Sequence, residues 1–493
     1  MTSQPGSRLL TPLELDTLRR LERWPMTWVQ GRLLLMGGLG YAFDAASVAI
    51  VAFILPPVAK LFGLTNAETG VLGSSVLIGY LVGAFFAGTM GDLIGRKAVM
   101  MYALAVYCVA SLVAAFAPSW TFLFWSRVVA GIGTGAESAI VAPFLAEFVQ
   151  SRYRGRYVGS LSGFFSFGFV FAALLGYFIV PAYADGWRIV QVITAVPIVM
   201  LLWWRRALPE SPRWLIQQGR SEEAIEVVDR LEAEVEQRAG TLPPLDTVPM
   251  PAASVAHRGS FAQNLASLWK PDTRRTTSML WALWVSITFS YYGFFTWIPT
   301  LLIAQGLDVT RSFGYSIVIY VSQIPGYYSA AFVSEKLDRK WTIILYMLGG
   351  GIAALGMANS RAEVAITLWG SLLSFFMNGT YAGIYAYTPE LYPTSFRATG
   401  MGVASSVGRI GGILAPIIIG MTYAEIGFTG VFSITTAVLL TGAFLVGVLG
   451  VSTSGKTLEE ISSGSRPASD ARDTQRVAYG EPRKLPSTHT SGL

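Results

Sequence analysis

Apolar residues occupy most of the chain in blocks of roughly 17 to 25, each closed by charged or turn-forming residues, the length that crosses a hydrocarbon core about 30 Å thick as a helix. Val71–Ala87, Ala98–Ala117, Leu161–Val180 and Gly430–Val451 are examples, and twelve such blocks are present. They predict spanning helices at about 33–59, 70–91, 97–117, 119–142, 156–181, 187–205, 277–303, 312–334, 341–359, 363–388, 398–424 and 427–451. An even number of crossings returns both ends of the chain to one side.

The loops decide which side. Gly95-Arg96-Lys97, Arg152 to Arg156, Arg205-Arg206, Asp338-Arg339-Lys340 and Arg397 all fall on the side of the termini, while the opposite loops hold chiefly Lys60, Arg311 and Arg361. Basic loops stay inside, so both termini are expected in the cytoplasm, as in a multi-pass protein of a cell inner membrane. Residues 1–32 read as a cytoplasmic segment with no signal-peptide pattern. Thr11 before Pro12 marks a helix start, and the Leu-rich face of Thr11–Trp24 is expected to lie along the membrane surface. Six-helix bundles are expected over 33–205 and 277–451, joined by a cytoplasmic linker, 206–276. That linker starts with the helix-favouring Ser221–Arg238 and turns Pro-rich at Leu242–Ala253. The tail, 452–493, is rich in Ser, Arg, Pro and Thr and is expected to be disordered.

Composition narrows the function classes. Of 493 residues 53% are hydrophobic and 13% charged, against about 25% charged in a soluble domain. The net charge of +6 follows from the basic loops and carries no nucleic-acid footprint. Cys108 is the single cysteine and excludes an intrachain disulfide. No metal-ligand cluster is evident, and the two histidines, His257 and His489, lie in the linker and the tail. An enzyme is not expected, and neither a cofactor nor a metal is implied.

The two halves repeat. Asp92 and Glu335, Arg96 and Arg339, Glu147 and Glu390, and Arg154 and Arg397 are all related by one offset of 243 positions. Four matches at one offset, on loops of the same sidedness, indicate two six-helix units in parallel orientation, with the substrate site between them near the midplane.

Local motifs add a resemblance. Gly88, Asp92, Gly95, Arg96 and Lys97 stand in the spacing G-x-x-x-D-x-x-G-R-K, and Arg127, Gly131, Gly133 and Gly135 in R-x-x-x-G-x-G-x-G. The second superficially matches a dinucleotide loop, but it lies inside an apolar helix with no strand before it. Both resemble signatures of the major facilitator superfamily, which implies an all-α fold of twelve spanning helices in two pseudo-symmetric bundles, functioning as a monomer. Pro209-Glu-Ser-Pro-Arg213 and Gly455 to Glu460 resemble its sugar-porter-like part. There, cytoplasmic acid–base pairs latch the halves in the outward-facing state. The resemblance extends that gating role to Asp92, Arg96, Glu147, Arg154, Glu335, Arg339, Glu390 and Arg397. The Gln-Gln pair and the Gly-Pro and Trp of sugar porters are missing from the seventh and tenth helices, and the Gly-Pro motif of drug/proton antiporters is missing from the fifth. The first helix around Leu39–Asp44, and the stretch from Tyr392 through Arg397 to Ser405–Gly412, are similar instead to niacin porters, aromatic-acid/proton symporters, synaptic-vesicle glycoproteins and organic-ion transporters. In that branch an Arg at the place of Arg409 accompanies anionic substrates.

Physical chemistry reaches the same residues. An ionisable side chain in the middle of a spanning helix is costly and marks a functional site, and Asp44 and Arg409 each sit about a dozen residues into a predicted span. They either pair when the site is empty, or Arg409 takes a carboxylate while Asp44 takes the proton; a planar guanidinium suits a carboxylate. Glu137 is the second candidate for proton coupling. Arg127 needs a cavity or an acidic partner, and both a structural and a transport role stay open. The aromatic seventh helix and the tenth offer Tyr291, Tyr292, Asn378, Tyr381 and Tyr385 for a flat polar guest. The expected function is proton-coupled import of a small organic anion such as nicotinate, by alternating access. A sugar or polyol porter is the alternative, and a membrane sensor that has lost transport is a rival of another class.

Overall fold

The computed structural model describes residues 10–245, 261–393 and 396–453, apart from the side chains of Phe261, Ala331, Glu335 and Ala398. The tail and the Gly455–Glu460 motif lie outside the described residues, as do most of the Pro-rich linker and the Glu335 side chain. Every regular element described is helical.

A short helix α1 (Pro12–Leu21) precedes α2 (Trp28–Phe62), α3 (Asn66–Ile94), α4 (Arg96–Ala115), α5 (Trp120–Ala146) and α6 (Ser151–Ile179). The sixth crossing is α7 (Gly186–Ala195), a 3-10 turn at Val196–Val199 containing Pro197, and α8 (Met200–Ala207). After α9 (Pro212–Gln217), α10 (Ser221–Ala239) and α11 (Phe261–Leu268), the second half opens with α12 (Pro271–Ala304). The eighth crossing is made of α13 (Val309–Val321) and α14 (Gln323–Leu337), followed by α15 (Arg339–Asn359) and α16 (Glu363–Glu390). The last two crossings run as α17 (Arg397–Leu449), broken at Gly427, whose φ of 60° and ψ of −167° turn the chain back. The twelve expected spans are thus present as helical crossings.

Polar caps decide where the helices begin. Thr27 and Gln30 form a reciprocal capping box ahead of α2, and Thr65 and Glu68 do the same for α3. The first crossing therefore starts at Trp28, before the apolar block predicted from residue 33, because the capped polar turn satisfies the helix's free N–H groups. The seventh crossing, α12, begins at Pro271, ahead of the predicted 277, with no side-chain cap but with proline at its first position, where the missing N–H costs nothing.

The internal repeat is visible in the backbone. Gly95 has φ 98° and ψ 153°, and Asp338, 243 positions later, has φ 86° and ψ 147°, a region essentially reserved for glycine. The first half uses Gly95 and caps α4 with a distant residue: the Glu210 carboxylate accepts from the Arg96 and Lys97 backbone N–H groups at 3.1 and 3.2 Å. In the second half Asp338 caps α15 itself, accepting from the Lys340 N–H at 2.9 Å. The Pro-Glu-Ser-Pro-Arg loop thus earns its place as a helix cap.

Helix α1 departs from expectation. Leu15 and Leu18 pack half-buried against a small core of Leu10, Trp214, Leu215, Ile216 and Ala224, so these two leucines are turned to α9 and α10 instead of a membrane surface, while Leu13 stays exposed. Arg20 and Arg23 donate to Glu232 on α10 at 2.7 and 2.9 Å, and Trp24 donates to the same carboxylate at 3.1 Å.

The halves meet along α2, α3 and α6 on one side and α12, α13, α14 and α17 on the other. Contact is tightest at the ends remote from the basic loops. A Cβ on Gly70 would lie 2.3 Å from the Pro416 carbonyl oxygen, and one on Gly420 would lie 2.4 Å from that of Asn66. Phe53 sits edge-on to Phe313 at 5.2 Å between ring centres. On the basic face, Arg96–Glu147 at 3.0 Å and Arg339–Glu390 at 2.7 Å each lie within one half.

Candidate functional site

A cavity with about 480 Å³ of space not filled by protein atoms lies between the halves. The first half lines it with Tyr41, Ser162, Phe165 and Ser166; the second supplies Tyr291, Tyr292, Tyr327, Asn378, Tyr381, Tyr385 and Arg409. All six residues expected to bind substrate are therefore brought together. Tyr41, Ser162, Ser166 and Tyr327 were not expected, because small polar and single aromatic residues in apolar helices carry no distinctive spacing.

Among the described residues, Arg409 is the one charged side chain lining it. Its helix comes close to α12 because Gly408 and Gly411 face it: Thr288 donates to the Gly408 carbonyl, and a Cβ on Gly411 would lie 2.6 Å from the Val285 carbonyl oxygen. That approach lets the guanidinium donate to the Tyr292 hydroxyl at 2.7 Å. It also donates to the Tyr80 hydroxyl at 3.3 Å, with its carbon 4.2 Å from the Tyr80 ring centre. Tyr80 belongs to α3 of the other half and was missed; only the close-packing glycines Gly79 and Gly83 around it hinted at a special position. The expected alternative of an Arg409–Asp44 pair is not what forms: phenols hold the arginine, and Asp44 accepts from Ser138 at 3.1 Å.

The aromatic walls are ordered by each other. Tyr291 is 5.1 Å from Tyr381 and 5.2 Å from Tyr292, ring centre to ring centre, and Tyr381 and Tyr385 stack at 6.2 Å with a 28° tilt. The Tyr291 hydroxyl donates to Gln323 at 3.1 Å, at the break between α13 and α14. Asn378 commits its amide N–H to the Ser374 carbonyl at 3.0 Å. The buried Tyr381 hydroxyl has no partner among the described residues.

Asp44 and Glu137 meet away from the cavity lining. A Cβ on Gly40, one turn before Asp44, would stand 2.2 Å from Glu137 Oε1, so the two carboxylates share one buried region. Asp44 Oδ1 and both Glu137 oxygens lack hydrogen-bond partners among the described residues. Arg127 does not neutralise them. It is fully buried and donates to Gln191 at 3.1 Å and to the Ser47 carbonyl, so of the two alternatives left open, a cavity or an acidic partner, the acid is not what it meets: its partners are neutral.

The cytoplasmic-motif residues whose side chains are described bond within their own half of the chain. Glu147 binds Arg96 and accepts from Ser211, and burial pushes its carboxyl above the usual range against the pull of both. Arg154 instead donates to Glu22 at 3.1 Å, ahead of α2, and to the carbonyls of Ala146 and Val149. Asp92 lies 3.4 Å from Arg96. Glu390 binds Arg339, while Arg397 donates to the Tyr392 carbonyl at 3.2 Å. No group of three or more His, Cys, Asp or Glu side chains able to hold a metal occurs among the described residues.

Residues 33–464 match the family described as sugar (and other) transporter. The chain belongs to that family, within the major facilitator superfamily. The niacin transporter NiaP of Acinetobacter baylyi is 39% identical over 448 residues, 91% of this chain and 100% of that protein. The putative niacin/nicotinamide transporter NiaP of Bacillus subtilis is 33% identical over 87% of this chain and 98% of its own. Among solved structures, the partially occluded inward-open xylose transporter XylE of E. coli superposes with a TM-score of 0.70 at 17% identity, covering 87% of this chain and all of that one. The chain is thus a multi-pass membrane transporter of the major facilitator fold, and not an enzyme.

Proposed function

We propose that this transporter carries a small aromatic or heteroaromatic carboxylate, such as nicotinate, together with a proton into the cell. The observation that carries the reading is Arg409: a lone cation facing an aromatic-walled cavity and held by two phenols instead of a carboxylate. A guanidinium has only donors, so Tyr80 and Tyr292 accept from it, and Tyr292, which lines the cavity, keeps its own O–H for a guest. A carboxylate entering here meets guanidinium and phenolic donors together, with ring faces for a flat body. The names of the two bacterial relatives point the same way.

Asp44 and Glu137 are assigned to proton coupling, since a close acid pair without a cation is suited to taking up and releasing one proton. With the basic loops and termini placed in the cytoplasm of an inner-membrane protein, the closed end faces outside and the cavity faces in. Import then runs by binding from outside, rocking of the halves and release inward, by a monomer. The gating set would re-form across the halves when the cytoplasmic side closes.

Uptake of labelled nicotinate into proteoliposomes under an inward proton gradient tests this, comparing wild type with Arg409→Ala. Gradient-driven uptake lost in the variant is the expected result. Folded wild-type protein that takes up xylose or a polyol and no carboxylate would replace the reading with the sugar alternative.

A further inference from the structure

Arg409 raises a question that substrate binding alone does not answer. A carrier must return unloaded after each delivery, and a cation near the midplane without its anion is expensive to move through a closing, low-dielectric site. Something in the protein has to take the place of the departed carboxylate.

Tyr80 is placed to do so. It comes from the half that does not carry Arg409, and it engages the guanidinium twice, by its ring face at 4.2 Å and its hydroxyl at 3.3 Å. The negative face of an aromatic ring attracts a desolvated cation. Tyr292 also accepts from Arg409, but it sits in the same half and so holds no contact between the halves. Tyr80 is rigidly tied to its own half: a Cβ on Gly135 of α5 would lie 2.2 Å from the Tyr80 carbonyl oxygen, and one on Gly79 would lie 1.9 Å from that of Val128. Helices this close move as one unit, so any force on Tyr80 is a force on the whole first half.

We propose that Tyr80 is a positioning residue that stands in for the substrate carboxylate in the unloaded carrier, and that its grip on Arg409 across the halves drives the unloaded return. This rests on the assignment of Arg409 to an anionic substrate. When a carboxylate occupies the guanidinium, the loaded carrier closes on that charge pair and depends less on Tyr80. When the carboxylate leaves, the ring and hydroxyl of Tyr80 take over the cation and draw the halves together.

Exchange and net uptake separate the two steps, because exchange of internal for external substrate never needs the unloaded return. The full chain in proteoliposomes is assayed with labelled nicotinate in both modes. In Tyr80→Leu the ratio of exchange to net uptake should rise about thirtyfold, the loss of roughly one desolvated cation–ring contact. In Tyr80→Phe, which keeps the ring and is the variant to use should Tyr80→Leu not fold, it should rise about threefold, close to one hydrogen bond. Exchange and net uptake falling in equal proportion, or an unchanged ratio in both variants, would overturn the assignment to Tyr80. Wild-type protein that exchanges no nicotinate would instead overturn the carboxylate reading beneath it.

Discussion

Asp44 on α2 and Glu137 on α5 occupy one buried region of the first half, with Ser138 donating to Asp44 at 3.1 Å and the missing side chain of Gly40 leaving the space that Glu137 fills. Arg127, the nearest candidate for a counter-charge in the sequence, is turned away to Gln191 and the Ser47 carbonyl. The pair therefore answers to a proton and not to an arginine. Asp44→Asn should abolish the stimulation of uptake by an imposed proton gradient while leaving exchange measurable. Glu137→Gln should reduce that stimulation at least about tenfold, in the range of one positioned proton carrier. A pH-sensitive dye inside the vesicles checks both, and full stimulation in Asp44→Asn would remove the acid pair from the mechanism.

Arg409 is held by geometry as much as by charge. Arg409→Lys keeps the cation but loses the planar fork and the flat contact with Tyr80, and substrate affinity should fall about tenfold. Arg409→Ala should weaken binding by more than about a hundredfold, as when one member of a buried charge pair is truncated. Calorimetric titration of purified protein with nicotinate measures both, and equal affinity in wild type and Arg409→Ala would move the anion site elsewhere.

Gly70 seals the end remote from the basic loops. A Cβ there would stand 2.3 Å from the Pro416 carbonyl oxygen, a backbone atom that cannot swing aside. Gly70→Val should oppose closure of that end by about 1–3 kcal/mol and shift the population toward the state open there. Thr296, whose methyl lies 2.9 Å from a Cβ built on Gly73 in the same seal, reports the change. Thr296→Cys should label faster with a membrane-impermeant thiol reagent in the Gly70→Val background, and an unchanged rate would count against the seal.

Glu232 clamps α1 to α10. Burial alone would raise its pKa, but the hydrogen bonds from Arg20, Trp24 and Arg23 outweigh it and leave the carboxyl below its ordinary value. A depressed carboxylate stabilises the folded clamp above its unfolded pKa, and that stability is lost as pH falls through the folded value. Protection of the α1 amides in hydrogen exchange should therefore drop on acidification below the usual glutamate range. Glu232→Gln should lower it at neutral pH, by on the order of 1 kcal/mol for an ion pair at the protein surface. Protection that is flat with pH would show that the apolar contacts of Leu15 and Leu18 suffice.

Some of this was legible without coordinates. Spanning helices follow from block length, because a bilayer leaves a backbone few other ways to satisfy its hydrogen bonds, and the offset between Asp92 and Glu335 exposed the repeat that Gly95 and Asp338 later confirm in their backbone angles. Arg409 and Asp44 stood out because charge inside a span is costly wherever it points. What the linear chain left open was who faces whom. Whether Asp44 and Arg409 pair was open along the chain, and so were the partners of Glu147 and Arg154; their neighbours are Ser138, Tyr80, Arg96 and Glu22. Tyr80 had no charge or period to single it out, only the flanking Gly79 and Gly83. Its role arises only when glycines on α3 and α5 bring two backbones into contact and the opposing half lays a guanidinium on its ring. Hydropathy and the cost of buried charge act on each residue singly and are written along the chain; partner choice depends on helix rotation and on which two halves meet, which tertiary packing alone decides.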